Sequence, residues 1–254
     1  MGSGRGAAGM LKYQRIAEEL RSAIEAGEYG PGDRLPGEND LMALHGVARM
    51  TVRQALSVLR SEGIVEARKG AGVFVRAFRP LRRRGIQRLA SERWAAGRSV
   101  WSADVDDRRE LVVDGVQVAR EPVPERIAAV LGVEPGAPVW VRRRRYLLDG
   151  KPVMSAASHF PADLVADTPV VSPDPGPGGV YARLAEAGHA PVRFREEIRT
   201  RMPSAGETDE LRLPSGTPVI LITRTAFTAD STVAEVNDMV LDAASYILEY
   251  EFDA

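Results

Sequence analysis

The sequence contains no cysteine. Disulfides, thiol nucleophiles and thiolate metal sites are therefore excluded. Its three histidines, His45, His159 and His189, lie far apart without HExxH-type spacing, so no metal and no cofactor are expected. Long apolar runs are also missing. The longest, such as Val219-Ile220-Leu221-Ile222, suit buried strands and fall far short of the ~20 residues a membrane helix needs. The opening stretch, Met1 to Gly9, is rich in Gly and Ala without an apolar core. It is expected to be a disordered N-terminus (residues 1–10) and not a signal peptide. A cytoplasmic protein without membrane contact follows as the expectation.

What is present is ordinary in amount and uneven in placement. Hydrophobic residues make up 44% and charged residues 27%, values typical of a globular chain. The net charge is −1, yet residues 1–90 hold 16 basic against 9 acidic side chains, and residues 91–254 hold 18 against 26. A basic front on an acidic body points to a negatively charged partner, nucleic acid first.

The front reads as three helices and a hairpin. Tyr13, Ile16, Ala17, Leu20 and Ile24 recur at helical spacing, and Gly27 ends that run. A short helix follows Pro36, with Leu41 and Leu44 inward and Gly46 as its stop. The third helix begins near Ala48 or Arg49, with Val52, Ala55, Leu56 and Leu59 as its apolar stripe. Two β segments, 64–67 and 73–75, follow around Lys69-Gly70. This is a winged helix-turn-helix plan. Opposite the stripe of the third helix lie Arg49, Thr51, Arg53, Gln54, Ser57 and Arg60. Arginine pairs bidentately with guanine, and Thr and Gln reach bases or phosphates. Lys69 and Gly70 at the hairpin tip can approach a neighbouring groove.

Four motifs follow in order: Gly32-Asp33-Arg34-Leu35-Pro36-Gly37-Glu38, Gly46 to Leu56, Glu62-Gly63-Ile64-Val65, and Gly70 to Val75. Together they resemble the DNA-binding domain of the GntR family of bacterial transcription regulators. The resemblance implies DNA contacts from Arg49, Thr51, Arg53, Lys69 and Gly70, with Arg34 and Asn39 close to backbone phosphates. It also marks two departures, since Gly37 and Ala48 stand where the family pattern has serine.

Residues 79–93 carry Arg79, Arg82, Arg83, Arg84 and Arg88. They read as a basic linker, either a solvated connector or a tail resting on DNA phosphates. Beyond it the pattern turns to strands at 111–113, 139–141, 153–160, 219–225 and 234–241, with helices at 124–131, 179–187 and 205–211. Val133 to Val139 repeats the turn-then-strand layout of Leu213 to Val219, each after a helix, which implies an internal duplication. Gly136 to Arg145, Asp149 to Val153, Ser158 to Pro161, Arg224-Thr225 and Glu235 to Asp238 resemble the UTRA domain of the HutC subfamily. That resemblance implies a chorismate-lyase-like antiparallel sheet with flanking helices, which binds a small effector and forms a homodimer.

The expected organisation is thus an α+β chain. A winged helix-turn-helix occupies 11–78, the basic linker 79–93, and the UTRA effector-binding and dimerisation domain 94–254. Along the Trp140–Tyr146 strand, Arg142 and Arg144 share one face and Arg143 and Arg145 the other. The subfamily's Arg-x-Arg pattern favours the pair Arg142 and Arg144, while four consecutive arginines leave the register open by one residue. Paired arginines clamp a carboxylate or phosphate, so an anionic metabolite is favoured as effector. Ser158 is a further candidate for the same anion, Glu235 for a hydroxyl or amine at the ligand's other end, and Tyr246 for closing the cleft. The Pro/Gly tract 171–179 is either a surface connector or a flap over the ligand. No acid/base pair stands beside the cleft candidates. The expected function is therefore not enzymatic: a regulator, with repression relieved by effector.

Overall fold

The computed structural model describes residues 10–76, 80–85, 87–98, 100–101 and 109–252. The N-terminal tail up to Gly9, and the expected boundary at Phe78 and Arg79, lie outside these residues. The described chain divides into two compact units, mainly between residues 76 and 80.

The first unit holds helices α1 (Lys12–Glu25), α2 (Glu38–His45) and α3 (Arg49–Ser61), then the antiparallel hairpin β1 (Val65–Arg68) and β2 (Gly72–Val75). Helical spacing decides what is inside. Ile16, Ala17 and Leu20 of α1, Leu41 of α2, and Val52, Ala55, Leu56 and Leu59 of α3 are buried around Leu35, Val65 and Val75. Each fully buried aliphatic side chain contributes about 1.5–3 kcal/mol relative to exposure. With the apolar stripe of α3 fixed inward, its polar face has to turn to solvent. The winged helix-turn-helix expected from the sequence is the fold observed.

The second unit runs β3 (Leu81–Arg84), α4 (Ser91–Ala95), β4 (Leu111–Pro122), α5 (Glu125–Leu131), β5 (Pro138–Leu148), β6 (Lys151–Pro161), α6 (Ala162–Val165), α7 (Gly179–Glu186), β7 (Arg193–Arg201), α8 (Ala205–Leu211), β8 (Val219–Phe227), β9 (Val233–Asp242) and β10 (Tyr246–Glu249). Six strands form one antiparallel sheet in the order β4-β5-β6-β9-β8-β7, and β3 pairs in parallel with β10. The duplication is visible in this order. A β-α-β-β unit, β4-α5-β5-β6, meets a second one, β7-α8-β8-β9, along the β6–β9 seam. On one face Ile127, Ala128 and Leu131 of α5 pack against Val139 and Val141, and Leu211 of α8 packs with Leu213, Val219 and Leu221. The other face carries Trp94, Phe160, Tyr181 and Leu184 in one cluster and Trp101, Tyr146, Met239 and Tyr246 in another. Polar space is left between those clusters.

The repeat also exposes a local strain. Helix α5 ends on Gly132 at φ 71°, whereas α8 ends on Arg212 at φ 50°, a left-handed conformation that a Cβ disfavours. Arg212→Gly is expected to stabilise the protein by about 0.5–1 kcal/mol, read as a higher denaturation midpoint at constant m-value. An unchanged or lower midpoint would refute the strain.

The structure corrects the expected linker. Residues 81–84 form a strand, and Arg83 is fully buried, donating from Nη1 to Glu196 Oε2 at 2.9 Å and from Nη2 to Glu196 Oε1. Burial pushes the Glu196 pKa up, but the Arg83 hydrogen bonds and charge outweigh it and hold the carboxyl at about 2. Arg82 and Arg84 pair with Glu249. These arginines therefore fasten β3 to the rest of the second unit.

Candidate nucleic-acid interface and ligand cavity

At the start of α3 the inward stripe leaves the Arg49 and Arg53 side chains 54% and 56% exposed, with Gln54 also exposed and Thr51 half-buried. The beginning of α2 supplies their partners. Glu38 accepts from Arg53 Nε at 2.9 and 3.1 Å and lies 3.8 Å from Arg49 Nε. Asn39 Oδ1 accepts from Arg49 Nη2 at 2.9 Å. One acidic side chain thus holds two guanidiniums side by side on an exposed surface, the arrangement needed for forked recognition of base edges. Glu38 was not among the expected site residues. Its signal was present in the Gly37-Glu38 motif, but a carboxylate on a basic face does not itself suggest DNA contact.

Arg34, Lys69 and Gly70 form a separate group at the wing. Arg34 bridges to Phe74 of β2, and a Cβ at Gly72 would come 2.9 Å from Arg34 Nε, so the missing side chain leaves room for that guanidinium. Gly70 sits at φ 74° in the tip turn, with Lys69 exposed beside it. The two serine departures are visible as helix starts without a side-chain cap at Gly37 and Ala48. Gly37 recovers part of the loss by donating its N–H to Asp40 Oδ2 at 3.1 Å.

In the second unit the strand register settles which arginines of 142–145 share a face with the cavity. Arg143 donates to both oxygens of Glu121, and Arg145 donates to both oxygens of Asp114 at 3.0 and 2.8 Å. Arg142 and Arg144 face the other way, into a cavity of about 640 Å³. Glu235 lines the same cavity, so three of the five expected effector contacts come together. The other two do not line it. Ser158 is fully buried beneath Arg144, whose Nη1 donates to its Oγ at 2.8 Å. Tyr246 is buried in the core with its ring 6.1 Å from that of Trp101.

The cavity's charge is decided by arginine. Among the described residues, Arg88, Arg98, Arg142, Arg144 and Arg224 line it against the two carboxylates Asp174 and Glu235. Arg144 is satisfied within the protein, donating also to Tyr146 Oη at 2.9 Å and to the Arg142 carbonyl at 3.0 Å. Burial lowers the Arg142 pKa from its ordinary value, and the charge of Arg144 adds to that pull. Tyr181 donates to Glu235 Oε2 at 2.6 Å, and burial raises the pKa of its hydroxyl well above the usual phenol range. The Pro/Gly tract is part of the lining. Arg142 Nη1 and Nη2 donate to the carbonyls of Ser172 and Pro173 at 2.5 and 2.7 Å, and the Gly178 N–H donates to the Gly97 carbonyl at 2.9 Å. Sequence reasoning missed Arg224, Tyr181 and Trp101. Arg224 had a readable signal: α5 and α8 begin 80 residues apart, and the same offset places Arg224 where the first repeat has Arg144.

His159 points to the opposite face, with Nδ1 3.3 Å from the Val236 carbonyl, and burial lowers its pKa. Among the described residues no group of three His, Asp or Glu is placed to hold a metal ion, and no helix is long and apolar enough to cross a membrane.

A winged helix-turn-helix with paired arginines on its outer face, in one chain with a sheet domain enclosing a polar cavity, defines a ligand-modulated DNA-binding transcription regulator. Comparison with known proteins gives the family. Residues 12–75 match the bacterial regulatory proteins of the gntR family, and residues 108–247 match the UTRA domain. The chain belongs to the GntR family of transcription regulators. It is 33% identical over 253 residues to an HTH-type transcriptional regulator of Streptomyces coelicolor, covering 95% of this chain and 92% of that one. It is 29% identical over 248 residues to the HTH-type transcriptional repressor NagR of Bacillus subtilis, covering 95% and 94%. The crystal structure of PhnF from Mycobacterium smegmatis superposes with a TM-score of 0.58 at 26% identity, over 94% of this chain and 99% of the other.

Proposed function

We propose that this regulator is a cytoplasmic homodimeric repressor whose operator is released when an anionic metabolite enters the UTRA cavity. The observation that carries the proposal is the position of Arg142. It lines the cavity while donating to the carbonyls of Ser172 and Pro173, so an anion there competes with the flap for the same guanidinium. Charge-assisted bonds to an anion are stronger than those to neutral carbonyls. Ligand entry therefore frees the 172–178 segment, and occupancy shifts the equilibrium towards a state with lower operator affinity. Differential affinity between the two states sets the response.

Arg49, Thr51, Arg53 and Gln54 are assigned to the operator's base edges and adjacent phosphates, and Arg34, Asn39, Lys69 and Gly70 to its backbone. Glu38 acts through Arg49 and Arg53 by fixing their guanidiniums. The dimer follows from the reading geometry, because one recognition helix covers a single half-site. The similarity to a relative named as a repressor supports the sign of regulation.

A thermal-shift screen against phosphorylated and carboxylated metabolites tests the cavity. The expected result is a dose-dependent rise in melting temperature that is lost when Arg142 and Arg144 are both replaced by Met. Stabilisation by neutral compounds alone would reject an anionic effector.

A further inference from the structure

Strand register places a polar row across the buried face of the six-stranded sheet. Arg142 of β5 stands opposite Ser158 of β6, Ser158 opposite Asn237 of β9, and Asn237 opposite Arg224 of β8. The row ends on Glu196 of β7, opposite Arg224. Its neighbours on the β6, β9 and β8 part of the same face are Ala156, Met239 and Ile222 on one side. A buried polar row beside an apolar one is expensive unless its groups are paired.

Both ends of the row are paired, and two members between them are not fully so. Ser158 accepts from Arg144, Arg142 donates to the flap, and Glu196 is taken by Arg83. Arg224 is only 4% exposed and lines the cavity, yet among the described residues neither its Nε nor its Nη1 has a hydrogen-bond partner. Its Nε lies 3.8 Å from Glu196 Oε1, beyond hydrogen-bond reach, Nη2 meets the Met239 sulfur at 3.5 Å, and the guanidinium stands 5.9 Å from the centre of the Tyr181 ring. Beside it, Asn237 also lines the cavity, 2% exposed, and its Oδ1 lacks a donor among the described residues. A buried guanidinium with two nitrogens unpaired is a strong demand for an acceptor.

We propose that Arg224 is a second anchor of this cavity. The ligand then carries two anionic groups, one held at Arg142 and Arg144 and the other at Arg224, joined by a hydroxylated segment that donates to Asn237. The proposal rests on reading the cavity as the effector site. Two strands separate β5 from β8, so the Arg142 and Arg224 backbones stand about 14 Å apart at ~4.8 Å per strand. That backbone separation suits two groups better than one shared anion. The internal repeat supplies the pair: Arg144 from the first half and Arg224 from the second occupy equivalent positions, one at each side of the seam.

Calorimetric titration of the full-length protein with two matched pairs tests this. The pairs are glycerol 3-phosphate against 3-phosphoglycerate, and fructose 6-phosphate against fructose 1,6-bisphosphate. In the wild type the two-ended member of at least one pair binds at least about tenfold tighter, as expected for an added charge-assisted contact. In Arg224→Met that preference falls to within about twofold, while one-ended binding persists and still depends on Arg142. The unliganded variant melts at or above the wild-type temperature, because an apolar chain of similar volume replaces a buried, underpaired charge. Arg224→Lys keeps part of the preference. If one-ended probes bind through Arg142 but neither pair shows a preference, or the preference survives in Arg224→Met, the second anchor is wrong and the cavity reading stands. If no probe of either kind binds the wild type, both fall.

Discussion

Arg49→Ala and Arg53→Ala are each expected to weaken operator binding by about 10- to 100-fold, and together to abolish sequence preference, with little change in melting temperature. The energetic argument has two parts. A bidentate arginine–guanine contact supplies about 1–3 kcal/mol of discrimination, so its loss falls on the specific complex. Both side chains are more than half exposed in the free protein, and their contacts with Glu38 and Asn39 are surface contacts. Such pairs contribute about 0–1 kcal/mol to stability, so the fold persists. Lys69→Ala provides the contrast. Without its phosphate-binding cation the wing holds all sequences more weakly and to the same degree, and the salt dependence falls by about one unit of slope. If both arginine variants keep sequence-specific binding, measured by anisotropy on matched specific and scrambled duplexes, the recognition surface lies elsewhere.

Replacing Arg142 and Arg144 together is expected to give the opposite phenotype. Operator affinity stays within about threefold, while the ligand concentration needed for release rises at least about 100-fold or release disappears. Both side chains lie in the second unit, facing the cavity, and neither belongs to the DNA-reading surface. Alanine at 144 leaves the Ser158 hydroxyl without the Arg144 donor, at a cost of about 1–3 kcal/mol. Methionine at both positions keeps the volume but also removes that donor, so the melting temperature of the double Met variant is measured beside release to separate a binding defect from a folding defect. A double Met variant that responds at the wild-type ligand concentration contradicts the clamp.

The reading head was legible because its chemistry is local. The apolar stripes of α1 and α3 fix their own outer faces, and the glycine turns of the wing are written in adjacent residues. The sheet domain was legible in its strand centres and its repeat, since branched runs such as Val219 to Thr225 have few alternatives. What was not legible depended on distant partners. Strand β7, Arg193–Arg201, is a polar edge strand with only Phe194 and Ile198 to mark it, so it lacks the alternation that announces a strand. Residues 81–84 read as a basic linker, solvated or resting on DNA phosphates, because Arg83 finds its carboxylate 113 residues later, at Glu196. Ser158 and Tyr246 were chosen for their chemistry. The first proved to support Arg144 from behind, and the second to pack near Trp101.

The central claim is that occupancy of the UTRA cavity controls binding at the helix-turn-helix. Its most direct test is the operator dissociation constant with and without a saturating cavity ligand identified by thermal shift, using duplexes selected from random DNA by the purified protein. An increase of about 5- to 150-fold on saturation, absent in the Arg142→Met, Arg144→Met variant, is the predicted result. An operator affinity unchanged by a ligand that demonstrably fills the cavity would contradict the coupling, and with it the account of this protein as an effector-released repressor.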